Sequence, residues 1–198
     1  MLGKIMVLEQ AHRRLSREPL YDLIVVDAPA TGHGLAYLKV PLVASAAVPV
    51  GPIGHNARRI LTLLRDRRRT ALVLVAAPEE MAVVEAVELY RAAKDEVGIE
   101  PQAVVLNACH ERRFSNQDEA EVLRLASSQA GGELTPGVPL QAALRAARRQ
   151  IRRRKLTRFY RDRLERSLDA PLVSLPFLFR ETLGVPELRA LAAALEAA

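Results

Sequence analysis

Four short apolar runs, rich in β-branched residues and separated by helical patterns, place the strongest constraint on how this chain can fold. The runs cover residues 23–26, 71–76, 103–106 and 171–175. The polar or turn residues at which they end are Asp27, Pro78, Asn107 and Pro176. Buried parallel strands end in this way when their carboxyl ends line a ligand crevice. The alternation predicts an α/β fold, a three-layer sandwich with a mainly parallel sheet.

Helical patterns fill most of the remaining sequence. They cover residues 4–16, 58–65, 78–98, 116–128, 140–168 and 186–195, and a Gly/Pro-rich loop is predicted at residues 131–139. The helix from Pro78 has acidic residues in its first turn, where they complement the positive end of the dipole, and Gly98 closes it. The chain has 198 residues, 49% of them hydrophobic, which is enough for one sizeable core. Because no repeat or low-complexity linker interrupts it, we expect a single domain over residues 1–198.

Composition excludes several classes of protein. The most apolar stretch, residues 40–53, is too short to cross a bilayer and is interrupted by Pro41, Pro49 and Pro52. The N-terminal residues contain no apolar core leading to a small-residue cleavage site, so a signal peptide is not expected. Cys109 is the only cysteine, which excludes an internal disulfide and a cysteine-cluster metal site within one chain. We therefore expect a soluble, cytoplasmic protein with no transmembrane segment, and a membrane protein stays open as a partner.

The positive charge of the chain is local. The formal net charge is +6, yet residues 141–168 contain eleven Arg or Lys against Asp162 and Glu165, so this segment alone carries +9. Apolar residues interrupt the basic pattern at helical spacing: Leu144, Ile151, Leu156, Phe159, Tyr160 and Leu164. We favour a solvated helix that this stripe packs onto the sheet. Nucleic acid is not an expected partner, while binding to an acidic partner or to phosphates stays open.

Asp27 and the residues after it form the first candidate site. In phosphoryl-transfer enzymes a carboxylate at the end of a central strand holds Mg²⁺, directly or through water, while the following loop senses the γ-phosphate. Thr31 and His33, next to Gly32 and Gly34, supply a hydroxyl and an imidazole between flexible positions, as suits a mobile loop. Taken alone, Asp27 could equally well cap the next helix.

Residues 27–33 read DAPATGH and resemble the switch II segment of a known family, which usually reads Asp-Thr-Ala-Pro-Thr-Gly-His. This is the family of arsenite-pump and tail-anchored-protein targeting ATPases, the ArsA-like anion-transporting relatives of the MinD/ParA-type P-loop ATPases. Asp27, Thr31, Gly32 and His33 match, and the middle of the segment is reordered. The later segments GLAYLKVP, TALVLVAAPEE, VVLNAC and LPFLFRETLGVPELRAL follow the family's order of helices and strands.

The resemblance implies a dimeric ATPase with a P-loop NTPase-like fold, with ATP and Mg²⁺ as cofactors. Asp27 would hold Mg²⁺ through water and would act together with Thr31, Gly32 and His33 as the catalytic switch.

The resemblance also implies an adenine site in the second half of the chain. Asn107 would hydrogen-bond the adenine edge, a role that suits an amide because it offers both a donor and an acceptor. Pro176, Glu181 and Gly184 would lie in the loop around the base. The alternatives are that Asn107 only ends a strand and caps a turn, and that Pro176 and Gly184 are ordinary turn residues.

The chain departs from this family in one essential part. None of its ten glycines belongs to a phosphate-binding loop: Gly3 and Lys4 follow no strand, and Gly131 and Gly132 precede an acidic residue. In the family this loop precedes the strand that ends at switch II. We therefore expect the chain to be the C-terminal part of an ArsA-like ATPase domain, incomplete at its N-terminus, with Met1 inside that domain. Such a chain would not hydrolyse ATP by itself and would expose an unpaired strand edge.

The preferred function is an ATPase domain that couples ATP binding and hydrolysis to transport or targeting of a client, as a homodimer or with a partner that supplies the phosphate loop. A non-catalytic binding module completed by a partner chain is the second reading, and a nucleic-acid-binding protein acting through residues 141–168 is the third. Targeting factors of the family have a Met-rich insertion and paired cysteines, and arsenite pumps bind metalloid through several cysteines. This chain has three Met and one Cys, so its client stays open.

Overall fold

The computed structural model describes residues 2–13, 18–29, 31–128 and 139–196. Within these ranges the chain forms seven α-helices and three β-strands. The helices are α1 (Leu2–Glu9), α2 (Thr31–Ala47), α3 (Pro52–Arg65), α4 (Glu80–Ala92), α5 (Asn116–Ser128), α6 (Pro139–Ser167) and α7 (Val185–Glu196). The strands are β1 (Val73–Ala76), β2 (Ala103–Cys109) and β3 (Leu172–Pro176), and α4 continues into a π-helical turn, Ala93–Val97.

The three strands form one parallel sheet in the order β1, β2, β3, flanked by helices. The connection between β1 and β2 contains α4, and the connection between β2 and β3 contains α5 and α6. Parallel neighbours require such crossovers, because a tight turn cannot return the chain to the same end of the sheet. The α/β class and the mainly parallel sheet are therefore confirmed, in an arrangement compatible with a P-loop NTPase-like sandwich.

The chain divides into two compact units, which are described separately. The first comprises Met1–Leu74 and Glu85–Ala103, and the second comprises Val75–Val84 and Val104–Ala198. In the first unit α3 packs against α1 and α2, and α2 also packs against the π-helical turn. In the second unit α5 packs against α6, and α7 packs against β3.

The core of the first unit surrounds the π-helical turn. Leu61, Val97 and Ile99 are buried together, and leucines of α2 and α3 pack around them. Arg65 joins α3 to this turn, because its Nε donates to the Val97 carbonyl oxygen at 2.7 Å. Gly98 follows with a φ of 76°, the left-handed conformation that ends a helix most readily at glycine. Gly98 therefore closes the helix as predicted.

The second unit buries one side of the basic helix. Val104 and Leu106 of β2 are fully buried, and the stripe predicted on α6 is confirmed in most positions. Its buried members are Leu144, Ile151, Tyr160 and Leu164, whereas Leu156 and Phe159 are exposed. Basic residues occupy much of the remaining surface of α6, which is the arrangement expected of a solvated amphipathic helix.

Most predicted elements are present with shifted ends. The runs at 71–76, 103–106 and 171–175 correspond to β1, β2 and β3, and the helices at 58–65, 78–98, 116–128, 140–168 and 186–195 correspond to α3, α4 with its π-helical turn, α5, α6 and α7. The helix expected at 4–16 ends earlier, at Glu9, because the chain then turns back and His12 pairs with Pro19. The loop expected at 131–139 lies outside the described residues, apart from Pro139, which begins α6. No helix in the described parts of the chain has both the length and the apolar character needed to span a membrane.

The strand expected at residues 23–26 is absent, and that prediction is wrong. These residues have no regular structure, and Leu23 and Val25 are 78% and 84% exposed. A strand is stable only when its backbone N–H and C=O groups pair with a neighbour. Across the ranges that the structure describes, the sheet contains only β1, β2 and β3, and none of them pairs with this run.

The turn between α2 and α3 depends on a glycine. Gly54, in the first turn of α3, lies against the Val48 carbonyl oxygen, and a Cβ atom at this position would overlap that oxygen. Arg58 closes the same turn by donating from Nη1 to the Pro49 carbonyl oxygen at 2.8 Å. The close approach of two backbone segments therefore requires glycine at position 54.

We expect Gly54→Ala to lower the free energy of unfolding by about 1–3 kcal/mol, because the backbone must shift to remove the overlap. Gly3→Ala is the matched control, since Gly3 also lies in a helix but an added Cβ would meet nothing within 4 Å. The control should retain or slightly gain stability. Urea denaturation followed by circular dichroism measures both variants. Equal stability of the two would show that the turn tolerates a side chain at position 54.

Candidate functional site

The carboxyl ends of β2 and β3 carry the most distinctive geometry of the second unit. The strands pair in parallel with Leu106 opposite Ser174, and the register then shifts so that Cys109 lies opposite Pro176. Between these pairs β2 has two residues where β3 has one, which is a β-bulge. Bulges are frequent beside active sites because they redirect a side chain out of the regular ladder.

Asn107 and Ala108 are the two residues at the bulge. Ala108 has a φ of 58°, a left-handed conformation that costs a non-glycine residue about 1–2 kcal/mol. The Asn107 side chain supports this conformation, because its Oδ1 accepts a hydrogen bond from the Ala108 N–H at 2.8 Å. Asn107 is exposed, so its amide nitrogen stays accessible as a donor. The sequence predicted that the strand ends before Asn107, but β2 continues to Cys109 and the bulge exposes the amide from within the strand.

An aromatic cluster follows the bulge. His110, directly after β2, stacks on Phe177, directly after β3, with the ring centroids 4.7 Å apart. Phe179 makes edge-to-face contacts with both rings. The guanidinium carbon of Arg113 lies 3.9 Å from the centroid of the Phe179 ring, and this ring is half exposed. The carboxyl edge of the sheet therefore presents an aromatic surface beside a cation.

His110 is held in place by α6. Its backbone N–H donates to Thr157 Oγ1 at 3.2 Å, and its Nδ1 lies 3.1 Å from Gln150 Oε1. His110 is only 8% exposed, although it lies in an irregular segment directly after β2. Burial lowers the pKa of the imidazole, the contact with Gln150 opposes that change, and the charges of Arg153 and Arg113 add to it. The folded state therefore favours the neutral ring.

The other residues assigned to the adenine site lie on β3 and after it. Pro176 is the last residue of β3 and lies at the same edge as the bulge, whereas Glu181 is exposed in an irregular segment. Gly184 precedes α7, and its N–H donates to Glu187 Oε2 at 3.1 Å. A carboxylate at the third helical position caps a helix in this way. The structure thus brings Asn107 and Pro176 to one edge, and it shows a local structural role for Gly184.

The residues assigned to the switch belong to the first unit. Asp27 is exposed and lies in irregular chain rather than at the end of a strand. Thr31 is the first residue of α2, which also contains Gly32 and His33, and His33 is exposed. The mobile loop expected here is therefore the first turn of a helix. Asn107 lies in the second unit.

The described residues bring few possible metal ligands close together. Within the residues that the structure describes, no group of three His, Cys, Asp or Glu side chains could hold a metal ion. Mg²⁺ in nucleotide sites needs fewer protein ligands, because one or two carboxylates act together with phosphate oxygens and waters. The exposed carboxylate of Asp27 fits a site of that kind.

Comparison with known proteins gives a partial likeness to ATPases. Over 129 residues the chain is 33% identical to ATPase BagA of Mycobacterium tuberculosis, and the match covers 63% of this chain and 37% of that protein. A Mycobacterium bovis protein provisionally named an ATPase matches to the same extent. Over 98 residues the chain is 32% identical to a Halobacterium salinarum protein with the provisional name arsenical pump-driving ATPase, and 44% of this chain and 15% of that protein are covered. No family model matches the chain.

The chain is similar to ATPases over part of its length. It spans well under half of the mycobacterial relatives that it matches.

Sequence reasoning missed the aromatic cluster. It does not single out Phe177, Phe179 or Arg113, although a usable signal exists in the segments NACH and PFLF. In each of them an aromatic ring follows within four residues of the end of a predicted strand. Because neighbouring parallel strands end at the same edge of a sheet, such rings must lie close together when the strands are paired. Cys109, in contrast, is a buried residue of β2.

The lowered pKa of His110 predicts that stability depends on pH. An unfolded histidine binds a proton near pH 6.5, whereas the folded chain resists this protonation, so the contribution is complete above pH 6.5 and declines as the pH falls toward the folded pKa. We expect His110→Phe, which keeps a ring against Phe177, to reduce the slope of unfolding free energy against pH between about pH 5 and 7.

Gln150→Leu is the companion variant, because it removes the contact that opposes the lowering of the His110 pKa. It should steepen the slope instead. Urea denaturation at a series of pH values measures all three proteins. Parallel pH profiles for the three would contradict the assignment of a shifted pKa to His110.

Proposed function

We propose that this chain is part of an ATPase domain that couples ATP binding and hydrolysis to the transport or targeting of a client. The observation that carries the proposal is the 33% identity to ATPase BagA over 129 residues. The match to a protein named as an arsenical pump-driving ATPase and the DAPATGH segment at residues 27–33 support an ArsA-like family. The parallel sheet agrees with this reading, because nucleotides bind at the carboxyl ends of parallel strands.

In this proposal the adenine base lies at the carboxyl ends of β2 and β3. Asn107 donates from its amide nitrogen to a ring nitrogen of the base, because its oxygen already accepts a backbone N–H. Pro176, Glu181 and Gly184 border the base along the segment from β3 to α7. The half-exposed ring of Phe179 adds a stacking surface.

The switch works through the first turn of α2. Asp27 holds Mg²⁺ through water, and Thr31, Gly32 and His33 rearrange according to the presence of the γ-phosphate. A terminal helical turn opens at a low cost in free energy, and glycine in that turn lowers the cost further. When bound, Mg²⁺ neutralises the charge that develops on the phosphates.

The phosphate-binding loop is the part that must come from elsewhere. No GxxxxGK[ST] segment occurs in the sequence. We propose a cytoplasmic assembly that is either a homodimer or a complex with a partner chain, and in the complex the partner supplies that loop to the nucleotide. The same observation favours a second candidate, a non-catalytic module that binds the base and is completed by another polypeptide.

Nucleotide selectivity tests the adenine site. We expect ADP, but not GDP, to shift the side-chain amide resonance of Asn107 in the ¹⁵N-labelled full chain, because the base accepts its hydrogen bond. Asn107→Ala should weaken ADP binding by about tenfold, the loss of one such bond. Asn56→Ala, at an exposed asparagine of α3, is the matched control and should bind ADP as the unchanged chain does. Equal shifts with ADP and GDP, or unchanged affinity in Asn107→Ala, would contradict the adenine site.

Phosphate release tests whether the chain hydrolyses ATP unaided. With Mg-ATP, we expect the chain alone to release phosphate at the uncatalysed rate, because no lysine-bearing loop contacts the phosphates. Asp27→Asn should behave identically under these conditions. Release above background that Asp27→Asn abolishes would exclude the non-catalytic module and would show that the chain hydrolyses ATP unaided.

A further inference from the structure

A groove of about 490 Å³ runs along α6 beside α5 in the second unit. Arg145, Arg148, Arg149, Arg152 and Lys155 line it, together with Leu123 of α5 and Ile151. The four arginines recur at spacings of three and four residues, so they share one face of α6. Like charges at this spacing repel each other by about 0.2–0.5 kcal/mol per pair. The groove therefore concentrates positive charge at a cost to the helix.

The described residues do not neutralise the positive charge in the groove. Other cations on these two helices are ion-paired: Arg154 with Glu119, Arg161 with Glu165 and Arg124 with Glu121. Among the described residues, none of the five cations of the groove lies within ion-pair distance of a carboxylate. All five are exposed. An anionic occupant would relieve the repulsion between them.

The floor of the groove is apolar. This floor is formed by Ile151, which is 3% exposed, and Leu123, which is 42% exposed. The aliphatic stems of the arginines extend this apolar surface, because such side chains keep only their charged heads in water. A suitable occupant therefore combines acidic groups at the rim with apolar side chains at the floor.

We propose that this groove binds an acidic amphipathic helix of a partner protein. Glutamates or aspartates of the partner pair with the arginines at the rim, and its leucine-like side chains contact Leu123 and Ile151. Helices that bind in grooves use anchors at spacings of three and four residues, which match the spacing on α6. Duplex nucleic acid matches only the charge, since its phosphate backbone offers nothing apolar to the floor. The proposal does not rest on the nucleotide site.

Fluorescence anisotropy with the full chain tests the groove. The probe is a labelled helical peptide of about 16 residues, long enough to form a helix on binding, with leucines every three or four positions and glutamates elsewhere. We expect binding that weakens with added salt. Arg148→Glu combined with Arg152→Glu should weaken it by about tenfold or more, because two attractive contacts become repulsive. Both residues are exposed, so circular dichroism should show an intact fold.

Two controls separate this site from general charge attraction. Arg158→Glu with Arg166→Glu reverses the same amount of charge on exposed positions of α6 outside the groove, and should change affinity by less than about threefold. A second peptide with alanine in place of leucine keeps the charge but should bind about tenfold more weakly, since it cannot use the floor.

Three outcomes would overturn the proposal: no binding of the leucine peptide, equal loss in the two double variants, or equal affinity for the two peptides. Tighter binding of an oligothymidylate of about 16 nucleotides than of the leucine peptide would also overturn it, in favour of single-stranded nucleic acid.

Discussion

The parallel pairing of β2 with β3 is the interaction on which the second unit and its candidate site depend. The Val104 N–H donates to the Pro171 carbonyl oxygen before the bulge, and the Phe177 N–H donates to the Cys109 carbonyl oxygen after it. Because the ladder is held on both sides, the extra residue of β2 has to leave it between these bonds. Asn107 becomes exposed for this reason, and His110 and Phe177 leave the sheet side by side.

Helix α6 uses three different sets of side chains for three different contacts. Its apolar stripe is buried, Gln150 and Thr157 bind His110, and its arginines form the rim of the groove beside α5. A helix can do this because residues one position apart point about 100° away from each other. The composition of residues 141–168 shows only that this segment is strongly basic. The packing of the helix shows which of its side chains are buried, which bind His110 and which line the groove.

The parts of the structure that could be predicted from the sequence are those that neighbouring residues determine. Helix α5 begins where predicted because Ser115 and Asp118 exchange hydrogen bonds across its first turn, a signal contained in four consecutive residues. The bulge depends on register between strands that are distant in the sequence, so no local pattern contains it. At residues 23–26, in contrast, a local pattern is present but the structure is not. The pattern is typical of a strand, yet a strand forms only when it pairs with a neighbour. The switch roles also depend on a partner, in this case a bound nucleotide, rather than on local structure. They therefore stay predictions for Asp27, Thr31, Gly32 and His33.

The bulge has a consequence for how this protein can change in evolution. In a regular strand, a one-residue shift of register moves the side chains to the opposite face of the sheet, whereas a bulge absorbs an extra residue without that shift. Deleting Ala108 would give β2 a regular ladder with Cys109 still opposite Pro176, and it would remove the N–H to which the Asn107 side chain bonds. A substitution here changes one side chain of the edge, whereas a one-residue deletion removes the bulge that exposes the Asn107 amide. Relatives of this chain that retain the sheet can thus be divided by strand length alone into those able to build this edge and those that are not.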